Sequence, residues 1–214
     1  GLPPANTPAV RQAWPPGAAF RYSGGGTMTL QRLVETVAGQ PFATLAHDLV
    51  LSPTNMGRSG FLQPLPASVT NVAAGHDANG APLPGGSRVY PELAAAGLWS
   101  TPGDLARLAL ALSASWTGGA QGTLLSRETA RTMASPVAGG PTGLGVFVTP
   151  RGDKPPYVYH YGVNEGFRSA LLFTADARFG VAIMANGDGG EALIQDFLEP
   201  LLSAAGQEPF KPWD

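Results

Sequence analysis

No cysteine occurs in this chain of 214 residues. Disulfides, thiolate metal sites and cysteine nucleophiles are thereby excluded, while the compartment stays open, because cysteine-free chains suit cytoplasm and periplasm alike. Charge is scarce too. Charged residues make up 13%, the formal net charge is −2, and no basic stripe interleaved with aromatics offers a nucleic-acid surface. No apolar run reaches the length of a membrane-spanning helix. Histidine stands only at His47, His76 and His160, without an H-x-x-x-H pair, so neither a catalytic metal nor another cofactor is expected. Lysine is rarer still, at Lys154 and Lys211. Three residues before them stand Arg151 and Glu208, neither a serine.

What is present argues for a folded domain rich in turns. Hydrophobic residues reach 43%, with 29 glycines and 21 prolines, the reverse of a disordered composition. The length suits one sizeable domain or most of a larger one. Because the chain begins at Gly1 and not at methionine, the lack of a leader sequence carries no weight.

Residues 1–20 are rich in proline and alanine without a period and read as an irregular surface segment that turns at Pro15-Pro16-Gly17. A helix is expected after Gly24-Gly25-Gly26, with Leu30, Leu33, Val34 and Val37 on one face and Gly39 as its stop. A second helix is expected from Pro41 to about Leu51. Residues 52–90 sustain no period and read as a long connection of the kind that often borders a site. In "STPGDLARLALALSAS", Thr101 suits an N-cap, Pro102 the first helical position and Asp104 the reciprocal capping position. A short helix starting at Ser126 and including Met133 follows. Beyond residue 143 the period changes to two. Strands are expected at 144–149, 157–161, 167–174 and 179–186, with "ADAR" as a hairpin turn. A closing helix runs from Glu191 to about Ala205, bearing Leu193, Phe197 and Leu201 on one face and weakened by Pro200. The order is α+β: a helical and loop subregion over 1–142, then antiparallel strands and a terminal helix over 143–214, all within one domain.

Two places carry chemistry. "FRYSGGG" presents Tyr22 and Ser23 beside glycines and ahead of a helix; it is either a flexible loop or a polar group at a site's edge. "YVYHYGVNEGF" places His160 in a strand, with Gly162 two residues on, where a missing side chain lets a ligand approach the backbone. The plainer account is a strand-end histidine satisfied by a loop. His47 and His76 read as surface and loop residues. The glycines at 24–26 lack phosphate-loop spacing and are followed by no "GK[ST]". Tyr157, Tyr159 and Tyr161 alternate and should share a face. Trp99 and Ser100 are expected to pack against and cap the helix that follows, and Asn164 and Phe167 either to shape a substrate mouth or to fill core.

Taken in order, "PPGAAFRYSGGG", "AAGLWSTPGDLARLALAL" and "YHYGVNEGFRSALLF" resemble the C-terminal portion of the serine β-lactamase-related family. That family includes class C β-lactamases, family VIII carboxylesterases, D-aminopeptidases and related penicillin-binding proteins. The resemblance spans nearly the whole chain and implies a transpeptidase-like α+β fold. In that family S-x-x-K supplies a nucleophilic serine and a lysine, a Y-x-N motif supplies a tyrosine for proton transfer, and K-T-G or H-x-G borders the substrate. The resemblance implies that Tyr22 holds the second motif and that His160 with Gly162 holds the third. It further implies the Val163 backbone N–H as an oxyanion donor, with Tyr161, Asn164 and Gly24 beside the substrate. The chemistry would be acyl transfer through a serine acyl-enzyme, on an ester, an amide or a D-amino-acid or β-lactam-type substrate. A periplasmic or extracellular location is implied as well.

Departures from the pattern sharpen these expectations. Gly24 stands at the asparagine position of the second motif, which leans away from β-lactam hydrolysis and toward an esterase or peptidase; the H-x-G form of the third leans the same way. No S-x-x-K is present. The chain therefore reads as a C-terminal piece, inactive alone, whose apolar faces pack against an N-terminal fragment carrying S-x-x-K. The rival expectation is a non-catalytic module of the same fold that binds a peptidoglycan-like or small-molecule ligand.

Overall fold

The computed structural model describes residues 8–119, 124–137 and 140–210. The first seven residues of the irregular opening segment, and Lys211, lie outside them. In chain order the elements are α1 (Gly24–Ala38), α2 (Phe42–Ala46) continued by a π-helical turn (His47–Leu51), β1 (Gly60–Phe61), α3 (Leu93–Ala96) and β2 (Leu98–Trp99). There follow α4 (Pro102–Thr117), α5 (Arg127–Met133), β3 (Phe147–Arg151), β4 (Lys154–Asn164), β5 (Phe167–Thr174), β6 (Gly180–Ala185) and α6 (Gly190–Ala204). The α+β order is as expected. β3 to β6 form an antiparallel meander in sequential order, and β1 pairs with β2 in a small separate ribbon.

Helices cover both faces of the meander. Because side chains alternate along a strand, Val158 and Phe173 point one way and meet Ala109 of α4. Their neighbours Tyr157 and Leu172 point the other way, into a cluster with Leu198 and Leu202 of α6 and with Phe210. The buried stripe of α6 is Gly190, Ile194, Leu198 and Leu202. This corrects the expected face by one residue: Leu193, Phe197 and Leu201 are the exposed apolar residues of that helix. Both stripes have the same period, and only the sheet decides which turns inward. Pro200 sits inside α6 without ending it. In α1 the expected face of Leu30, Leu33, Val34 and Val37 is exposed, and no residue of that helix is buried.

Helix ends follow their local chemistry. The Thr101 hydroxyl accepts the Asp104 N–H at 3.2 Å and the Ser126 hydroxyl accepts the Thr129 N–H at 3.0 Å, both N-caps. Asp104 does not return the cap as expected. The residue is 2% exposed, and its carboxylate accepts instead from the Arg58 N–H (2.9 Å), the Ser59 hydroxyl (2.7 Å) and the Arg107 guanidinium (2.7 Å). The long connection is thereby anchored to α4. A further anchor is His76, more than a plain loop residue: its N–H donates to the Asn186 carbonyl at 3.0 Å, and its own carbonyl accepts the Asp188 N–H at 3.0 Å.

Candidate active site

β4 runs on beyond the end of β3. β3 accompanies β4 only from Arg151 opposite Lys154 to Phe147 opposite Tyr159. On the other side β5 continues alongside β4 as far as Phe167 opposite Asn164. Residues 160–164 therefore run past the end of β3, and His160 is the first beyond it. Tyr22 arrives at this place from the segment ahead of α1. Its ring lies 6.2 Å from that of His160, tilted by 48°, and stacks at 5.9 Å on Phe147. The structure thus brings together the two residues on which the chemistry was expected to rest.

Strand alternation sorts the other candidates. Gly162 and Asn164 share the His160 face; Tyr161 and Val163 point to the α6 side. Tyr157, Tyr159 and Tyr161 share that second face, as expected. Tyr161 stacks on Phe147 at 5.3 Å, while Tyr157 is buried and donates its hydroxyl to the Glu208 carbonyl at 3.1 Å. Gly162 faces Ser169 across the ladder, and a Cβ at Gly162 would stand 2.5 Å from the Ser169 Oγ. A side chain there would displace that hydroxyl, so the glycine keeps both the strand edge and the serine in place.

Tyr22 is held next to the start of α1 by a capped turn. The Ser23 hydroxyl accepts the Gly26 N–H at 3.0 Å, which gives Ser23 the role of N-cap. The helix begins at Gly24 itself, so the glycines form its first turn and do not precede it. A Cβ at Gly24 would meet only the Ala95 Cβ, at 3.9 Å, so packing does not force a glycine at this motif position.

The small helix α3 bridges the two walls of the site. On the α1 side, the Gln31 side-chain oxygen accepts the Ala94 N–H at 3.0 Å. On the β4 side, the Asn164 amide donates to the Ala96 carbonyl at 3.0 Å. Asn164 thus fastens the wall, and Phe167 packs edge-on against Trp99 at 5.8 Å. Ser100 does not cap α4; its hydroxyl is 2.8 Å from that of Ser59.

The hairpin beyond Asn164 is clamped from three directions. Gly166 takes φ 79°, a conformation open to glycine at little cost. Its N–H donates to Asp188 at 2.8 Å. Arg88 donates to both carboxylate oxygens of Glu165, at 2.9 and 2.7 Å, and the Tyr90 hydroxyl accepts the Glu165 N–H at 3.0 Å. Arg168 joins Asp188 (2.9 Å), Glu191 (3.1 Å) and the Asn164 carbonyl (2.7 Å).

Burial pushes the His160 imidazole below its ordinary value, against a smaller opposing hydrogen bond with Tyr161. At neutral pH His160 is an uncharged ring able to donate from one nitrogen and accept at the other. Burial raises the Tyr159 phenol. Among the described residues no cluster of His, Asp and Glu could hold a metal ion, and no helix is long and apolar enough to cross a membrane. The site therefore offers an exposed phenol, a neutral imidazole and an open strand edge. Phe147, central to this arrangement, was legible only as one more strand residue, because cross-strand register is not written in a period-two pattern.

The fold has counterparts. Matching the pattern of the family described as Beta-lactamase occupies residues 6–202. No curated protein sequence matches the chain. Among solved structures, SurE superposes with a TM-score of 0.74 at 25% identity, over 92% of this chain and 48% of that one. The octameric penicillin-binding protein homologue from Pyrococcus abyssi gives 0.70 at 22% identity, over 91% and 44%. The D-amino acid amidase from Ochrobactrum anthropi SV3, complexed with L-phenylalanine amide, gives 0.65 at 17%, over 87% and 60%. The chain spans about half the length of the first two. With the family pattern spanning almost its whole length and the same fold recurring in these structures, the chain belongs to the β-lactamase family.

Proposed function

We propose that this chain forms the C-terminal part of a serine hydrolase that works through an acyl-enzyme on a small ester, amide or D-amino-acid peptide. The nucleophilic serine and its lysine come from an N-terminal segment carrying S-x-x-K. The observation that carries this reading is the meeting of Tyr22 and His160, 6.2 Å apart, at the strand end that β3 leaves open. The family match and the fold shared with an amidase support it.

In this reading the serine hydroxyl attacks the substrate carbonyl and its proton passes through the lysine and the Tyr22 phenol to the leaving group. A phenol acts as a base at neutral pH only where a cation beside it favours phenolate, and otherwise relays protons between other groups. The lysine of the missing motif supplies that cation. His160, kept neutral by burial, hydrogen-bonds substrate or the Tyr22 hydroxyl without adding charge. The Val163 N–H serves as one oxyanion donor, and the substrate backbone lies along residues 160–164. Gly24, in place of an amide side chain, favours esters and peptides over β-lactams.

The apolar faces of α1 and α6 support the N-terminal segment. Leu30, Leu33, Val34 and Val37 on one helix and Leu193, Phe197 and Leu201 on the other are exposed, and faces of this kind normally find cover. The test is intact-mass analysis after treatment with a fluorophosphonate or labelled penicillin. Label should appear on the S-x-x-K segment when it is joined to this chain, fall at least tenfold with Tyr22→Phe, and be absent from the chain alone. A joined protein that folds and binds small ligands but never acquires label would make the chain a binding module.

A further inference from the structure

Tyr22 and His160 come from distant parts of the chain, and the capped turn after Tyr22 fixes its backbone but not its ring. Its side chain is 67% exposed. The ring contacts described for it are with Phe147 and His160. Phe147 is different. It is 7% exposed, opens β3 opposite Tyr159 and also bridges back to Thr142. Its ring stacks on Tyr159 at 5.3 Å and on Tyr161 at 5.3 Å, with interplanar angles of 23° and 15°. Tyr159 is itself backed edge-on by Phe210 at 4.7 Å. On this supported plate lie both site residues: Tyr22 stacked at 5.9 Å with an angle of 16°, and His160 tilted at 5.6 Å.

We infer that Phe147 is a positioning residue of this site: its ring contacts both Tyr22 and His160, and it fixes the angle and distance between them. Phe147 touches no reacting atom and acts through its two neighbours. A flat ring suits the task, because offset stacking constrains the orientation of a partner ring where an aliphatic surface does not. The same ring covers one side of His160 and helps to exclude water from it, in keeping with the depressed basicity of that imidazole. The ionisable side chains described against His160 are Tyr22, from the segment before α1, and Tyr161, on its own strand. Burial and not an ion pair lowers the basicity of the imidazole, and the covering ring contributes to that burial. This inference rests on the proposed function for its catalytic meaning, but the geometry can be tested without catalysis.

The test uses the chain itself, with Phe147→Leu and the conservative Phe147→Tyr. Proton NMR reads the Tyr22–His160 cross-peaks and the titration midpoint of the His160 ring; circular dichroism and urea unfolding confirm the fold. The inference expects Phe147→Leu to lose the cross-peaks and raise the midpoint toward the ordinary 6.5, and Phe147→Tyr to retain both. If Phe147→Leu fails to unfold cooperatively, Phe147→Met takes its place with the same expectations. Retained cross-peaks and an unshifted midpoint in a folded Leu or Met variant overturn the inference. Acyl labelling of the chain joined to an S-x-x-K segment then separates the two readings. A misplaced reacting group costs on the order of a hundredfold in rate. A fall of that order in Phe147→Leu, rescued by Phe147→Tyr, supports both. Changed cross-peaks with no labelling in any variant leave the positioning role standing and sink the hydrolase. Labelling that needs Tyr22 but is indifferent to Phe147 sinks the positioning role alone.

Discussion

Truncating Leu198 and Phe197 of α6 to alanine, one at a time, should separate two side chains adjacent in sequence by about 2–3 kcal/mol of stability. Leu198 is 1% exposed and packs with Tyr157, Leu172, Leu202 and Phe210 between the helix and the sheet. A leucine so enclosed costs about 2–5 kcal/mol when cut to alanine, through lost transfer energy and the cavity left behind. The rigid strand beneath cannot collapse inward, which places the value near 3 kcal/mol. Phe197 is 58% exposed. Its truncation should stay within about 0.5 kcal/mol, a range typical of surface positions, and the better helix propensity of alanine offsets part of even that. Urea unfolding followed by circular dichroism reads both. The midpoint should fall clearly for Leu198→Ala with the m-value unchanged, and the melting temperature should drop by roughly 6–12 °C. For Phe197→Ala neither should move appreciably. Equal losses for the two variants, or a loss under about 1 kcal/mol for Leu198→Ala, would refute the inward stripe. In the protein joined to its S-x-x-K segment Phe197→Ala should become costly, because the face it occupies is then covered.

Other predictions follow from single contacts. Asp104→Ala should cost about 3 kcal/mol in urea unfolding, since it strips a buried charge acceptor from the Arg58 N–H and the Ser59 hydroxyl; Asp104→Asn should cost less. Gly162→Ala should destabilise the chain or displace Ser169, whose Oγ lies 2.5 Å from the new Cβ, and Gly162→Ala combined with Ser169→Ala should recover most of the loss, a coupling read by a double-mutant cycle. His160 has a folded-state pKa below its ordinary 6.5, so the unfolded chain binds more protons between the two values. Its contribution is therefore full above about pH 6.5 and is lost as pH falls toward the folded value; His160→Gln should flatten that part of the stability–pH curve. Gly24→Ala should raise the melting temperature, because the space beside Ala95 is open and alanine has the higher helix propensity.

Much of the fold was legible because its signals are local. Thr101 and Ser126 cap helices as their positions indicate, and the meander follows from period-two runs separated by turn residues. What stayed hidden depends on contacts distant in sequence. The inward face of α6 cannot be chosen from Leu193, Phe197 and Leu201 alone, because Ile194, Leu198 and Leu202 have the same spacing. Asp104 looks like a capping residue until the Arg58–Ser59 loop arrives to claim its carboxylate. Tyr22 and His160 could be paired only through the family resemblance. The ring that joins them, Phe147, had no signal, since stacking depends on where a strand ends relative to its neighbour.

The overhang of β4 beyond β3 also bears on how this polypeptide behaves in a test tube. β3 ends opposite Tyr159, and a strand edge without a neighbouring strand is a template for any extended chain, including another copy of itself, which folded proteins usually blunt. Residues 160–164 carry no lysine, no proline and no charge to discourage that pairing. Whatever occupies the edge, a ligand or a companion segment, would also guard the sheet against growth into aggregates. Solubility during expression and concentration then becomes a report on occupancy of the cleft, readable by light scattering without an activity assay.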